Sequence, residues 1–206
     1  MKRVPTLSAE ECAVLLEALR RGKGVGRGWQ QCLRNWAMGM VLLEAGVRVA
    51  ELCGLVYGDL VFRHEPVRTL LVRGEIAKRG VEREVPVSVR LHGAIAEMER
   101  RVWGPAGVGE GEPAWYIGVG RRRLKVRQVE SIIRRAALAS LGRPVHPHMC
   151  RHTCGTRWER VGGLKVAQAL LGHSDIRTTE IYCHPGGDDL LRAVNGHVVV
   201  PNREYP

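Results

Sequence analysis

Residues 147–160 read Pro-His-Met-Cys-Arg-His-Thr-Cys-Gly-Thr-Arg-Trp-Glu-Arg, and this stretch decides how the fold is interpreted. Pro147 suits the first turn of a helix, because that position needs no backbone donor. The helix is predicted to run through Arg160. His148 and Arg151 are three residues apart, so they lie on one face of it. A cation and a proton carrier on one face suit a phosphate group, although the same spacing also occurs by chance.

Two further features follow this helix. Residues 164–171 are predicted to form a second short helix, which Gly172 ends. His173 comes next, and a last helical turn is expected to hold Tyr182. Taken alone, His173 is equally a cap of the preceding helix, and Tyr182 is equally an ordinary core tyrosine.

The rest of the chain combines helical periodicity with two short extended runs. Ser8 and Glu11 form a capping box. Thr69–Val72 and Glu84–Val87 have the composition of strands, and the polar segment between them predicts a loop or hairpin. The fold class is therefore mainly α with a small antiparallel β-sheet (α+β). The expected helices cover about 9–20, 29–45, a short segment with Arg48, Glu51 and Leu52, 89–103, 126–141, 147–160 and 164–171.

The charge of the chain indicates a polyanionic partner. Lys and Arg number 32 against 21 Asp and Glu, which gives a net charge of +11 and a pI near 10.0. Nucleic acid is the leading candidate, and an inert basic surface is the alternative. The densest basic stretch has the same two interpretations, a solvated face or a face that follows DNA phosphates. Its candidate DNA contacts are Arg121, Arg122, Arg123, Lys125 and Arg127.

The cysteines favour a reduced, cytoplasmic protein without a metal centre. None of the six forms a C-x-x-C pair, and several lie in apolar helical patterns. Cys150, His152 and Cys154 lack a second closely spaced ligand pair, so no zinc site is expected. The sequence also has no apolar run of the ~20 residues that cross a bilayer.

Three segments taken together resemble the tyrosine recombinase (phage integrase) family. They are Gly-Val-Arg-Val-Ala-Glu-Leu at 46–52, His-Met-Cys-Arg-His-Thr at 148–153, and residues 171–182 with the Leu-Gly-His run and Tyr182. The family is marked by two arginines, a lysine, two histidine-type positions and a nucleophilic tyrosine. The resemblance assigns these roles to Arg48, Lys78, His148, Arg151, His173 and Tyr182, with Glu51 as a supporting carboxylate.

Lys78 is assigned by its place in the family pattern. The family's lysine lies on a hairpin loop, eight residues before a proline in the following strand, and Pro86 is that proline here. Arg79 and Arg83 are basic neighbours that confuse the assignment. Lys78 by itself is equally a solvated loop residue.

The resemblance implies a site-specific DNA recombinase that cleaves and rejoins strands through a 3′-phosphotyrosine, for integration, excision or inversion. It implies no cofactor and no metal. The expected partner is double-stranded DNA, with a monomer in free solution and a tetramer on DNA. The whole of 1–206 is expected to be one catalytic domain, with a core to about 185, a C-terminal tail at 186–206 and no N-terminal core-binding domain.

Two other functions stay open at this point. A type IB topoisomerase-like enzyme uses similar chemistry to relax supercoils without exchanging partners. A DNA-binding module that has lost catalysis is the second. The chain also departs from the family pattern, with smaller side chains than usual at Cys150 and Cys154 and with His146 where Thr or Ser commonly caps the helix.

Overall fold

The computed structural model describes residues 5–22, 24, 28–172 and 194–195, and helices dominate this part of the chain. The strands are short and antiparallel, which confirms the predicted fold class. The helices are α1 (Ala9–Arg21), α2 (Trp29–Glu44), α3 (Val49–Gly54), α4 (Val89–Met98, continued by a π-helical turn at Glu99–Trp103), α5 (Val126–Leu141) and α6 (Pro147–Leu171). The strands are β1 (Val61–Phe62), β2 (Glu65–Pro66), β3 (Thr69–Val72), β4 (Arg83–Pro86), β5 (Tyr116–Ile117) and β6 (Arg122–Arg123).

Helix α2 forms the centre of the core. It packs against α1, α3, α4 and α6, and its residues 37–44 are all buried. A helix that is covered on every side must be apolar around its circumference. Glu44 is the charged exception, and its carboxylate accepts hydrogen bonds from Ser88 Oγ at 3.0 Å and from the Arg90 guanidinium at 3.0 Å.

Hydrogen bonds fix the N-terminal segment both within the first turn of α1 and just before it. The predicted capping box is confirmed, because Glu11 N donates to Ser8 Oγ at 3.1 Å and Ser8 N donates to Glu11 Oε2 at 2.9 Å. Just before it, Leu7 N donates to Thr153 Oγ1 at 2.9 Å. The start of α1 is therefore tied to α6, which carries the stretch that decides the fold.

The strands form three separate two-stranded sheets instead of the single small sheet that was expected. The predicted pair is present as β3 and β4, with Leu70 opposite Val85 in an antiparallel register. The other two pairs, β1–β2 and β5–β6, have two residues in each strand. Strands of that length have no alternating pattern that sequence could show.

Helix α6 joins the two helices that were predicted as separate. Gly163 interrupts it with φ 81° and ψ 171°, between the two expected segments. This left-handed φ strains any residue that carries a Cβ atom, so glycine suits the kink. Gly172 ends the helix in the left-handed conformation, with φ 63° and ψ 48°, as predicted.

Two residues of the expected C-terminal tail are described, and both contact the body of the same chain. Val194 is fully buried, and Asn195 Oδ1 accepts a hydrogen bond from Val89 N at 3.1 Å. That amide belongs to the first turn of α4, where backbone donors have no partner within the helix. Among the described residues, no helix is long and apolar enough to cross a membrane.

Candidate active site

Arg48 lies at the N-terminal boundary of α3, where the chain is still extended, one residue before the helix that was expected to contain it. Glu51, in the first turn of that helix, reaches back to it. Arg48 N donates to Glu51 Oε2 at 2.7 Å, and the Arg48 guanidinium donates to Glu51 Oε1 at 2.8 Å. The predicted contact of Glu51 with a site residue is therefore present. It fixes both the backbone and the side chain of Arg48.

Arg83 also binds Glu51, and sequence reasoning did not assign it to the site. It lies on β4, and 9% of it is exposed. Its guanidinium donates to both oxygens of Glu51, at 3.1 Å and 2.6 Å, and its Nε donates to the carbonyl of Leu170 at 3.2 Å. The signal in the sequence was weak, because Arg83 stands at the edge of a polar loop, between Glu82 and Glu84.

Arg151 is buried on the first half of α6, with 4% of it exposed. Its guanidinium donates to the carbonyl of Gly46 at 2.5 Å and to the carbonyl of Leu171 at 2.6 Å. These carbonyls lie just after α2 and at the end of α6. The C-terminal ends of helices carry partial negative charge, which suits a guanidinium. The predicted arginines Arg48 and Arg151 are thus brought together with Glu51.

We call Arg48, Glu51, Arg83 and Arg151 the Glu51 cluster. Burial alone raises the pKa of Glu51, but hydrogen bonds from Arg83 and Arg48 outweigh this and hold the pKa at about 2. Burial lowers the pKa of Arg151, and the charges of Arg48 and Arg83 lower it further, to about 10. Two guanidinium groups therefore bind one carboxylate, and a third lies near enough to interact with it electrostatically. The surplus positive charge favours an anion here.

Lys78 is exposed in the 3-10 turn Lys78–Gly80, which belongs to the loop between β3 and β4. The predicted hairpin is therefore confirmed. The loop packs against α3, since a Cβ atom added to Gly54 would lie 2.6 Å from Ile76 Cγ2. The hairpin that carries Lys78 is thus held against the helix that begins at Arg48.

His148 is exposed in the first turn of α6, three residues before Arg151. His146 precedes this helix and makes no side-chain cap, as its replacement of Thr or Ser predicted.

Both Cys150 and Cys154 are buried, and the Cys154 thiol contacts the carbonyl of Glu44 at 3.4 Å.

His173 and Tyr182 lie outside the described residues, so their predicted roles stay predictions. The residue just before them is placed closely. A Cβ atom added to Gly172 would lie 2.8 Å from Cδ of Arg83. The end of α6 therefore lies directly against Arg83 of the Glu51 cluster.

The candidate DNA contacts span β6 and the start of α5, and we call them the basic segment: Arg121, Arg122, Arg123, Lys125 and Arg127. All of them except Arg121 are exposed. Arg121 pairs with Glu112 and donates to the carbonyls of Ala106 and Gly107. The Arg123 guanidinium donates to the carbonyl of Cys53 at 2.8 Å, which ties β6 to the end of α3.

Within the described ranges, no group of three or more His, Cys, Asp or Glu side chains is arranged to hold a metal ion.

Comparison with known proteins gives a consistent result. The model of the phage integrase family matches residues 5–187. The tyrosine recombinase XerC of Corynebacterium glutamicum is 36% identical over 169 residues, which are 81% of this chain and 51% of that protein. The crystal structure of XerA recombinase has a TM-score of 0.65 at 25% identity, over 92% of this chain and 64% of that chain. The lambda integrase catalytic core has a TM-score of 0.58 at 25% identity, over 86% and 96%.

This chain spans about half the length of the XerC relative that it matches. It covers nearly all of the lambda integrase catalytic core, which has a similar fold. The family model extends over most of the chain and includes every residue of the Glu51 cluster as well as His173 and Tyr182. From this match and from the gathered arginines, the chain belongs to the phage integrase family.

Proposed function

We propose that this chain is the catalytic domain of a site-specific DNA recombinase, which cleaves and rejoins strands through a 3′-phosphotyrosine at Tyr182. The observation that carries the proposal is the surplus positive charge of the Glu51 cluster. A phosphodiester resists attack because its anionic oxygens repel a nucleophile. Guanidinium groups that are already fixed by their own chain stabilise the additional charge of the transition state without reorganising.

Arg48 and Arg151 keep N–H donors that are available for a phosphate group. A guanidinium has five N–H donors, and the hydrogen bonds of Arg151 to Gly46 and Leu171 use two of them. The Arg48 guanidinium uses one with Glu51. The remaining donors match the geometry of phosphate oxygens. His173 adds a further hydrogen bond to the same oxygens.

The reaction is an exchange of phosphate esters in which every proton has a carrier. The Tyr182 oxygen attacks phosphorus, and its proton passes to His148, because a free tyrosine with a pKa near 10 needs a base. The bond from phosphorus to the 5′ oxygen breaks, and Lys78 protonates that oxygen. The phosphotyrosine retains the energy of the bond. A 5′ hydroxyl of another strand then displaces Tyr182, so the step needs neither ATP nor a metal.

DNA recognition and assembly follow from the same proposal. The exposed members of the basic segment bind phosphates along the duplex. Exchange between two duplexes involves four cleavable strands, so four protomers meet on DNA, whereas the free protein is a monomer. A cytoplasmic location is part of the proposal, because the cysteines of the described residues are free and buried. Sedimentation of the protein with and without paired DNA sites measures this change of assembly.

Covalent trapping tests the chemistry. A pool of nicked duplexes with a randomised central segment is incubated with the protein, and DNA that stays attached after denaturation is amplified and sequenced. The best substrate is then used on denaturing gels. Tyr182→Phe should abolish the adduct and spare DNA binding, whereas the matched variant Tyr116→Phe should form it normally. Undiminished trapping with Tyr182→Phe contradicts the assignment.

The same substrate separates the proposal from its alternatives. Transfer of the trapped strand to a second duplex supports a recombinase. Relaxation of a supercoiled plasmid without any transfer to a second duplex supports a topoisomerase-like enzyme. Tight binding without an adduct in the wild-type protein supports a module that has lost catalysis.

A further inference from the structure

Arg83 connects three parts of the chain that are distant in sequence. It lies on β4 of the hairpin that carries Lys78, and its guanidinium binds Glu51, which is 32 residues away. Its Nε binds the carbonyl of Leu170, which is 87 residues away. Its side-chain stem also lies against Gly172, where α6 ends. One side chain therefore links the hairpin, α3 and the end of α6.

Burial removes the Arg83 guanidinium from water, and hydrogen bonds within the protein must offset the lost hydration. A guanidinium with a side chain that is 7% exposed, paired with a carboxylate that is 1% exposed, has lost most of its hydration. The two-pronged contact with Glu51 and the bond to Leu170 replace the lost water. An apolar residue at this inward-facing strand position would fill the same space without that cost. The arginine is therefore explained better by what it positions than by stability.

Arg83 controls how Glu51 acts on Arg48. Each carboxylate oxygen of Glu51 accepts one hydrogen bond from Arg48 and one from Arg83. The shared carboxylate cannot neutralise both guanidinium groups. Without Arg83, Glu51 would pair with Arg48 alone, would cancel its charge and would be free to rotate.

The second contact of Arg83 concerns the segment that leads to His173. Arg83 Nε holds the carbonyl of Leu170, and Arg151 holds the carbonyl of Leu171, the next one along the chain. Two guanidinium groups thus donate hydrogen bonds to successive carbonyls at the end of α6. These hydrogen bonds hold the last turn of α6 in place.

We propose that Arg83 is a positioning residue, which sets the orientation of Arg48 through Glu51 and holds the end of α6 in place. This inference rests on the proposed recombinase chemistry. Arg83 does not itself touch the phosphate. A displacement of about 1 Å in a reacting geometry typically costs up to ~10²-fold in rate. The effect of losing Arg83 should therefore appear in the rate of cleavage and not in DNA affinity.

The kinetic test compares Arg83→Met with Arg20→Met. Arg20 makes a similar two-pronged contact with Glu97, at 2.9 Å and 3.0 Å, between α1 and α4. Adduct formation on a nicked duplex is measured at saturating DNA and well below each variant's unfolding temperature. Arg83→Met should slow it by ~10–10²-fold with an unchanged Kd for DNA, and Arg20→Met should keep the wild-type rate. Wild-type kinetics for Arg83→Met overturn the inference, as does an equal loss in Arg20→Met.

Two further variants keep the test decisive if Arg83→Met does not fold. Arg83→Lys keeps the charge near Glu51, but its single ammonium cannot also hold Leu170, so an intermediate rate is expected. The double variant Arg83→Lys with Glu51→Gln should be no slower than the slower single variant, because both act through one contact. Additive losses in this cycle overturn the proposed coupling.

A readout without DNA separates this inference from the proposed function. In the wild-type protein, the Nε–H signals of Arg48 and Arg151 in NMR spectra report how well each guanidinium is held. The Arg48 signal should shift and broaden in the Arg83→Lys variant, and an unchanged signal overturns the positioning role. The absence of any adduct in the wild-type protein would instead contradict the recombinase proposal, while the NMR result still decides the role of Arg83.

Discussion

The Glu51 cluster and the basic segment are both rich in arginine, but their environments are opposite. In the cluster, Arg83 and Arg151 are buried and are held by a carboxylate or by backbone carbonyls. In the basic segment, Arg122, Lys125 and Arg127 are exposed. The two groups of basic residues thus differ in how many hydrogen bonds they already make within the protein before a ligand binds.

The difference indicates that the Glu51 cluster and the basic segment have separate roles. A guanidinium that its own chain holds in place can stabilise a transition state without reorganising, so the cluster should determine the rate of chemistry. Exposed side chains interact with phosphates through screened, sequence-independent attraction, so the basic segment should determine affinity. The predictions below test whether rate and affinity separate in this way.

The largest expected effect is that of Arg151→Ala. Loss of one preorganised donor typically slows a reaction by ~10²–10³-fold, and the carbonyls of Gly46 and Leu171 also lose their partner. Adduct formation at saturating DNA measures the rate, and filter binding measures affinity. Arg127→Ala is the matched control, with weaker binding and a normal rate. The hypothesis of separate roles is wrong if both variants slow adduct formation equally.

Lys78 sharpens the comparison, because it is exposed like the basic segment but belongs to the hairpin that carries Arg83. If it protonates the leaving 5′ oxygen, Lys78→Ala should cleave an ordinary strand about 10²-fold more slowly. A substrate with a 5′-bridging phosphorothiolate needs no such proton, so it should restore the rate. Lys125→Ala should cleave both substrates normally. Rescue of Lys125→Ala in place of Lys78→Ala would show that the assigned lysine is wrong.

The sequence predicted the helices well because their signals are local. The capping box at Ser8, the proline that opens α6 and the glycine at 172 each act within a few residues. Arg48 and Arg151 were selected as candidates from the sequence, because their motifs are short and contiguous. These features required no knowledge of distant contacts.

Arg83 could not be predicted in the same way. Its burial depends on Glu51 and Leu170, which are far away in sequence and meet it only in the folded chain. A basic residue at the edge of a polar loop otherwise resembles a solvated one. The two-residue strands of β1–β2 and β5–β6 were missed for a related reason, since tertiary contacts and not alternation define them.

A smaller effect concerns stability and its dependence on pH. The pKa of Glu51 is about 2 in the folded chain against an ordinary 4.5, so its ionised form stabilises the fold above pH 4.5. This contribution, about 3 kcal/mol at about 1.4 kcal/mol per tenfold change in proton affinity, is lost as the pH falls from 4.5 toward 2. Glu51→Gln should therefore be less stable than the wild type at neutral pH, and the difference should shrink over that range.

Urea unfolding at several pH values measures this difference. Glu84→Gln is the control, because Glu84 is the exposed neighbour of Arg83 on β4. A surface change of this kind should alter the free energy of unfolding by less than about 0.5 kcal/mol. A Glu51→Gln difference that stays constant down to pH 2 contradicts the ionised pair.

The smallest expected effect is that of single changes in the basic segment. If Arg127 contacts one phosphate, Arg127→Gln should reduce the slope of log affinity against log salt by ~0.9. The rate of adduct formation at saturating DNA should stay unchanged. Arg121→Gln should reduce the slope less, because Arg121 is already paired with Glu112 and with loop carbonyls. Arg21, which is exposed at the end of α1, provides the control variant Arg21→Gln. A salt slope that falls with Arg21→Gln and not with Arg127→Gln would place the DNA on another face of the domain.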